Sequence, residues 1–385
     1  MPIAPLLVGC AYPTSVATMH VLIPALHRPT KPTGVCRHAV NLAQCLAATA
    51  DVTRVTLVIG TWQRDYFNDA FQLDSPKIQL VNVDIKNSSL ARNRWFLFGL
   101  PQLANQLQPH MIHMSFPFPF IRQWFKSPIV ATIHDLYPYE CPENFGYPRV
   151  WFNQLFLQQC IRNSDGLTCV SKCTLGDLKN YFPRVTHTKK TAVVYNIVDF
   201  DNIDAQLPTQ LKRDDHFLMT VAQHRKNKNL NLLIRAYGDL CRHEQFQAKL
   251  LIIGSSGPET EHLTGLVTEL NLEKRVLFLS GLSDGELRWL YERAALFVIP
   301  SATEGFCLPL VEALTLACPA VCSDIPIFRE VGSSQCHYFS LDYPGQLAET
   351  IATALTESPR QTQTRDNRFS KSTISQQLLD FYRLF

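Results

Sequence analysis

Short apolar runs alternate with amphipathic stretches along most of the chain, beginning at Met19-His-Val-Leu-Ile-Pro24. That alternation predicts an α/β architecture, with parallel sheets built from right-handed βαβ units. In the first half, strands are expected near residues 20–25, 54–59, 110–114, 128–133, 166–170 and 192–195, and helices near 36–48, 90–107, 149–163 and 173–181. Pro24, Pro29, Pro32 and Gly34 punctuate the loop after the first strand. Gly34 then opens a helix whose Val40, Leu42, Ala43 and Leu46 suit one buried face. Residues 199–215 are polar and without period, which reads as a linker. A second alternation follows, with strands near 217–222, 248–253, 276–279, 296–299 and 320–322 and helices near 229–243, 259–270, 284–294, 309–317 and 344–356. Ser283 and Glu286 have the spacing of a capping box. The stretch 358–368 reads as a loop, and Ile374, Leu378, Phe381, Tyr382 and Phe385 fall on or near one face of a terminal helix.

Length and composition sharpen this picture. The chain has 385 residues, and two domains of roughly 150–200 residues each are the natural expectation. An apolar fraction of 46% and a charged fraction of 18% describe a chain that buries a large core. A net charge of +3 argues against a dedicated nucleic-acid binder. The 12 cysteines include no CxxC pair and no zinc-ligand spacing, so reduced, mostly buried thiols and a cytoplasmic location are expected, with no metal. No apolar run is long enough for a membrane span. Residues 1–18 read as a loose extension before the first strand at Met19.

Two doubly wound domains leave a cleft between the carboxyl ends of their strands, so polar residues at strand ends are the candidates for chemistry. Leu296-Phe-Val-Ile-Pro300 is a buried strand, Ser301 to Leu308 a loop, and Pro309 to Ala317 a helix with proline near its first position. That helix start offers free N–H groups and a positive dipole end, which suits a diphosphate. Glu304 and Glu312 are eight apart, and both can face the cleft. Carboxylates accept from sugar and ribose hydroxyls. On spacing alone, two solvated glutamates are as good a reading. A basic loop, Gln223-His-Arg-Lys-Asn-Lys-Asn229, follows another strand, and Pro128 to Asp135 is a strand ending in His134-Asp135. Phe116-Pro-Phe-Pro-Phe-Ile-Arg-Gln-Trp-Phe-Lys126 interleaves aromatics with Arg122 and Lys126. Core packing or an acceptor-pocket wall is the stronger reading of it, and peripheral membrane contact the weaker.

Pro300-Ser-Ala-Thr-Glu304-Gly-Phe-Cys-Leu-Pro-Leu-Val-Glu312-Ala resembles the donor signature of glycosyltransferase family 4, retaining enzymes of the GT-B fold. The resemblance implies that Glu312 holds the nucleotide ribose and Glu304 the donor sugar. Backbone around Gly305, Phe306, Cys307 and Leu308 would meet sugar or phosphates. The family uses an Arg and a Lys to neutralise the departing diphosphate. Lys228 matches the Lys, while Gln223 stands at the usual Arg position and Arg225 is a substitute. His134 would face the donor sugar, and Asp135 would orient it or bind acceptor. Gly34 resembles the family's glycine loop at the phosphates, with Arg37 within reach of acceptor or phosphate. Gly254 fits a glycine turn and Phe278 a strand whose backbone meets the base. Departures occur at Cys307 and Ala317, where the family has Gly, and at Ile197, where Gly follows Asn. The implied layout is an acceptor-side domain over 19–200, a nucleotide-sugar domain over 201–365, and a final helix over 366–385 that packs back across both. The implied activity is retaining transfer of a hexosyl unit from a nucleoside-diphosphate sugar to a hydroxyl acceptor, with no further cofactor, in polysaccharide biosynthesis. An epimerase of the same fold and an inactive scaffold are the alternatives.

Overall fold

The computed structural model describes residues 19–30, 33–71, 73–142, 146–201, 203–243, 246–357 and 366–385. The extension expected over 1–18, most of the loop expected over 358–368, and Pro32 lie outside them. The first half forms a seven-stranded parallel sheet from β1 (Met19–Pro24), β2 (Val52–Gly60), β3 (Ile78–Val83), β4 (Met111–Met114), β5 (Ile129–Ile133), β6 (Gly166–Cys169) and β7 (Lys190–Val193), in the order β3-β2-β1-β4-β5-β6-β7. The second half forms a six-stranded parallel sheet from β8 (Phe217–Val221), β9 (Lys249–Ile253), β10 (Val276–Leu279), β11 (Leu296–Ile299), β12 (Ala320–Ser323) and β13 (Cys336–Phe339), in the order β10-β9-β8-β11-β12-β13. In both sheets the winding reverses beside the first strand, between β1 and β4 and between β8 and β11. Helices leave such a point on opposite faces, so a crevice opens there at the carboxyl ends.

Two strands and several short helices escape the hydrophobic pattern for a physical reason. β3 and β13 are edge strands and only part-buried. They therefore carry polar residues, Gln79 and Asn82 in one and His337 in the other, instead of the continuous apolar runs of the central strands. The helices Tyr137–Glu140, Pro183–Thr188 and Pro326–Gly332 are each opened by proline and are too short to show a period. The first helix spans Gly34–Ala47, with the Thr33 hydroxyl accepting from the Cys36 N–H. The capping box forms as expected, Ser283 accepting from Glu286 N–H and Glu286 from Ser283 N–H.

The aromatic stretch 116–126 puts three of its rings in the core. Phe118, Phe120 and Phe125 are buried, and Arg122 pairs with Asp165. Gln123, Trp124 and Lys126 are exposed. No helix among the described residues is long and apolar enough to cross a membrane.

The last helix, Lys371–Tyr382, returns to the first sheet. Ser375 Oγ donates to the Cys45 carbonyl at 2.9 Å, and the Tyr382 hydroxyl pairs with buried His113 Nδ1. Ile374, Leu378, Phe381 and Tyr382 are buried, while Phe385 is exposed. The chain thus crosses between the halves twice, after β7 and before Lys371. Leu378 is fully buried, so Leu378→Ala should cost about 2–5 kcal/mol. Urea unfolding should show a single lowered transition in the first half's core. An unchanged midpoint would mean that the helix merely rests on the surface.

Candidate functional site

The two winding reversals face each other across a cleft of about 2290 Å³. Its wall takes His27 after β1, Phe116 to Pro119 after β4, His134 and Asp135 after β5, Gln223 and Arg225 after β8, and Ser280 to Gly285 after β10. Of the sequence-predicted residues, Gly34, His134, Arg225, Gly254, Leu308 and Glu312 line it. Glu304, Gly305, Phe306, Cys307 and Lys228 stand behind the wall, because the β11 loop is docked against the first half. Phe278 is also off the wall, which on this strand begins at Ser280; its ring packs edge-on to His224, 5.4 Å away.

The docking is specific and polar. The Gly305 carbonyl accepts from Ser171 Oγ at 2.7 Å and from Thr174 Oγ1 at 3.1 Å. A Cβ on Gly305 would stand 1.9 Å from the His134 carbonyl oxygen. Only glycine lets the two backbones approach this closely. Tyr137, absent from the sequence expectations, sits within reach of the Thr303 carbonyl at 3.2 Å and of Glu304 Oε2 at 3.3 Å. Glu330 accepts from the N–H groups of Lys172 and Cys173 at 2.7 and 3.0 Å, where a helix of the first half begins. Arg37 does not point freely at a ligand. It forms a bidentate pair with Asp284 across the cleft, at 2.9 and 2.6 Å.

Beneath this closure lies a nearly buried ion pair. Lys228 Nζ meets Glu304 Oε1 at 2.6 Å, with side-chain exposures of 17% and 8%. Ser301 Oγ donates to the same oxygen at 2.8 Å. Eight positions on, Glu312 accepts from the Tyr291 hydroxyl at 2.9 Å. Burial pushes the Glu312 carboxyl up, and Arg37 and the Tyr291 hydroxyl oppose it. Tyr291 is fully buried in the helix Asp284–Arg293 and had no signal in the sequence; Asp284 could have been found from the capping box beside it.

The helix Leu308–Thr315 begins beside this pair. Among the described residues, the N–H groups of Gly305, Phe306, Cys307 and Leu308 have no hydrogen-bond partner. They form a concentration of donors at a helix start. Cys307 precedes the helix at φ 69° and Ala317 follows it at φ 55°. Both are left-handed, which explains why glycine is usual at these positions and costs this chain about 1 kcal/mol at each. The Phe306 ring turns away from the cleft toward Tyr195 and Phe369, at 6.0 and 5.7 Å between centroids. Gly254 closes β9, where a Cβ would stand 2.1 Å from the Ala222 carbonyl oxygen. A Cβ at Gly34 would meet nothing within 4 Å, so space is open there toward the cleft.

On the first half's side, His134 Nε2 donates to the Ser115 carbonyl at 2.8 Å, and its ring lies edge-on to His38 at 4.5 Å. His38 bonds Asn196 Oδ1 at 2.6 Å and Thr132 at 3.3 Å, and Thr132 bonds His113 at 2.7 Å. Burial lowers all three imidazoles, His113 to about 3, which keeps them neutral near pH 7. Among the described residues no group of His, Cys, Asp and Glu side chains could hold a metal.

Comparison with known proteins agrees with this geometry. A family model described as Glycosyltransferase Family 4 matches residues 32–202, and one described as Glycosyl transferases group 1 matches residues 202–371. The O-antigen chain mannosyltransferase RfbU of Salmonella typhimurium is 24% identical over 323 residues, covering 80% of this chain and 84% of that protein. A Campylobacter jejuni N-acetylgalactosamine-N,N'-diacetylbacillosaminyl-diphospho-undecaprenol 4-alpha-N-acetylgalactosaminyltransferase is 33% identical over 172 residues, 45% of each chain. The structure of Anabaena Alr3699/HepE in complex with UDP and glucose superimposes with a TM-score of 0.69 at 18% identity, covering 95% of this chain and all of that one. That likeness shows the fold, two facing α/β units in the GT-B arrangement.

Two outcomes follow from the closure. Gly305 is not at positive φ, so Gly305→Ala acts by the clash alone. It should open the cleft, seen as a larger radius of gyration in small-angle scattering, and an unchanged radius would count against the docking. Asp135 gives a pH signature. Burial comes first in pushing its carboxyl up to about 6, while the Tyr137 N–H, Lys228 and Arg225 oppose and Glu304 adds to the rise. An unfolded aspartate titrates near about 4, so the folded state holds this proton more tightly and stability is lost as pH rises from about 4 through 6. Asp135→Asn should therefore stabilise the protein at pH 7 relative to pH 4, by on the order of 3 kcal/mol in chemical denaturation.

Proposed function

The chain belongs to the group 1, or family 4, glycosyltransferases, and from that premise we propose that it moves a hexosyl unit from a nucleoside-diphosphate sugar to a hydroxyl of a saccharide acceptor, with retention at the transferred carbon. The observation that carries this reading is the buried Lys228–Glu304 pair beside the unpaired N–H groups that begin the Leu308 helix. Such a site answers to a diphosphate that gains charge as it departs. The helix start and Arg225 receive the phosphates, and Lys228 keeps ammonium donors beyond the one given to Glu304. Glu312, fixed through one oxygen by Tyr291, offers the other to the ribose hydroxyls. HepE in complex with UDP and glucose supports a nucleotide sugar as donor. RfbU and the Campylobacter enzyme, named for mannosyl and N-acetylgalactosaminyl transfer, support a hexosyl unit and a role in cell-surface polysaccharide assembly.

Between the two retaining routes, the state of Glu304 speaks against a covalent intermediate. A carboxylate nucleophile needs a free oxygen at the reacting carbon. Here Oε1 is taken by Lys228 and Ser301 and Oε2 faces the Tyr137 hydroxyl. The reading is therefore front-face transfer, with the departing phosphate taking the acceptor proton, His134 facing the donor-sugar hydroxyls and Glu304 fixing the Lys228 ammonium beside them. Glu304→Ala and Lys228→Ala should each lower kcat by about 10²–10³, and Tyr291→Phe should raise the donor KM with kcat little changed. Radiolabelled nucleotide sugars with a saccharide acceptor give the rates, and the coupling constant of the new anomeric proton gives the stereochemistry. Full transfer by both alanine variants would overturn the assignment.

A further inference from the structure

The first half's end of the cleft carries positive charge that the protein leaves without a counter-ion. Arg92, on the helix Ser89–Arg94, lines the cleft with its guanidinium over the Phe118 ring, 5.3 Å from the centroid. Its Nε is buried with no hydrogen-bond partner, and it makes no ion pair among the described residues. The charged group acting on it is Arg28, of like sign; burial first and Arg28 second lower its pKa to about 10. Arg28 Nη1 donates to Ser89 Oγ at 3.0 Å, which holds it beside the same helix.

His27 completes the cluster. Its Nε2 is also buried and unpartnered. Burial is the main cause that pushes its pKa down to about 4, with the Arg92 charge adding to it and the titratable neighbour His134 acting in the same direction. The residue is fixed on every side. Its N–H donates to Gln63 Oε1 at 3.0 Å, its carbonyl accepts from Trp62 Nε1 at 2.8 Å, and its ring meets Phe116 and Phe118 at 5.2 and 6.2 Å. Arg28, by contrast, is exposed at the rim of the cluster.

A buried guanidinium Nε and a buried ring nitrogen without hydrogen-bond partners are costly to the folded state. The aromatic face beneath Arg92 returns part of that cost. An anion would satisfy the rest. Two guanidinium charges exceed what one carboxylate needs and match phosphate, and the neutral His27 ring can add an N–H to its acceptor oxygens. The place is set as well. His27 touches Phe116, and Phe116 lies 6.4 Å from His134, so the cluster borders the transfer site from the first half. The donor phosphates belong to the second half's helix start and Arg225.

We propose that Arg92, Arg28 and His27 form a phosphate subsite for the acceptor, so that the saccharide receiving the sugar carries a phosphate or diphosphate near the reacting hydroxyl. The identification as acceptor rests on the transfer reading above; the anion site itself does not. Two sources share this chemistry, the diphosphate of a lipid-linked saccharide and the phosphate of a soluble sugar phosphate.

Two measurements decide it. The first is calorimetric titration of inorganic pyrophosphate into Lys228→Ala, whose donor phosphate site is weakened, and into Lys228→Ala/Arg92→Gln. Loss of affinity by about tenfold or more on adding Arg92→Gln is expected, with Arg92→Lys restoring part of it in a folded protein. Equal affinity in the two chains overturns the subsite, whether or not transfer is ever detected. The second compares a free saccharide acceptor, its 1-phosphate and its polyprenyl diphosphate with the wild-type chain. The phosphate-bearing acceptors should have a KM lower by about tenfold, and Arg92→Gln should erase that gap with kcat and donor KM little changed. A gain for the 1-phosphate identifies a soluble source, and a gain for the polyprenyl conjugate alone a lipid-linked one. Equal use of the free saccharide overturns the acceptor role. If no acceptor is used, the transfer reading falls while the pyrophosphate titration still decides the anion site.

Discussion

The ammonium of Lys228 is held away from water at the base of the cleft, with Glu304 supplying its counter-charge at 2.6 Å. Desolvating both groups can cost more than their attraction returns unless further hydrogen bonds complete the shell. Ser301 provides one from the same loop, and Tyr137 provides another from the opposite half. The pair is therefore fully served only when the halves meet. The rest of the closing surface is of the same polar kind: Ser171 and Thr174 on the Gly305 carbonyl, Arg37 on Asp284, Glu330 on the start of the Lys172 helix. Each of these can be exchanged for water at a cost of about 1 kcal/mol. Polar closure lets a charged ligand enter and leave, whereas a broad apolar seam would hold the halves shut.

Much of the fold was legible in the sequence because central strands of parallel sheets are buried on both faces and read as unbroken apolar runs. β11, Leu296–Ile299, is buried at every position and was placed to the residue. Edge strands need not follow that rule: β10 stays apolar and was read, while β3 and β13, interrupted by polar residues, were lost. At the site, Glu304, Lys228 and His134 follow strand ends, and Glu312 sits on the helix after one, in a recognisable pattern. Their partners do not. Tyr137 reaches Glu304 across 167 positions and Arg37 reaches Asp284 across 247. Contacts at such separations leave no local periodicity. Nor could spacing show that the loop bearing Glu304 would lie behind the wall, since this follows from how closely Gly305 approaches His134.

The helix Leu308–Thr315 pays for its position at both ends. The Cys318 N–H bonds the Ala313 carbonyl at 2.8 Å across Ala317 in the left-handed region, a closed helix end usually built on glycine. Cys307 carries the same backbone strain at the other end, with its thiol buried and pushed well up by that burial. The strain persists because Leu310, Val311 and Ala313 are packed without exposure to water. Packing on one face fixes a helix whose two ends would otherwise relax.

The two crossings between the halves run side by side. Val198 and Asp199 on the outward strand and Phe369 to Lys371 on the return line one crevice. Tyr195 from the first crossing, Phe369 from the second and Phe306 from the donor loop bring their rings together at this seam, with centroids 5.4 to 6.0 Å apart. The seam is thus a pin of packed rings flanked by hydrogen bonds: the Tyr195 hydroxyl donates to Glu330 Oε1 at 2.9 Å, and Arg368, next to Phe369, donates to the Glu330 carbonyl at 2.8 Å. Any rotation between the halves has to carry those bonds along or break them. Displacement grows with distance from a pin, so the far rim of the cleft is where a small rotation would show most.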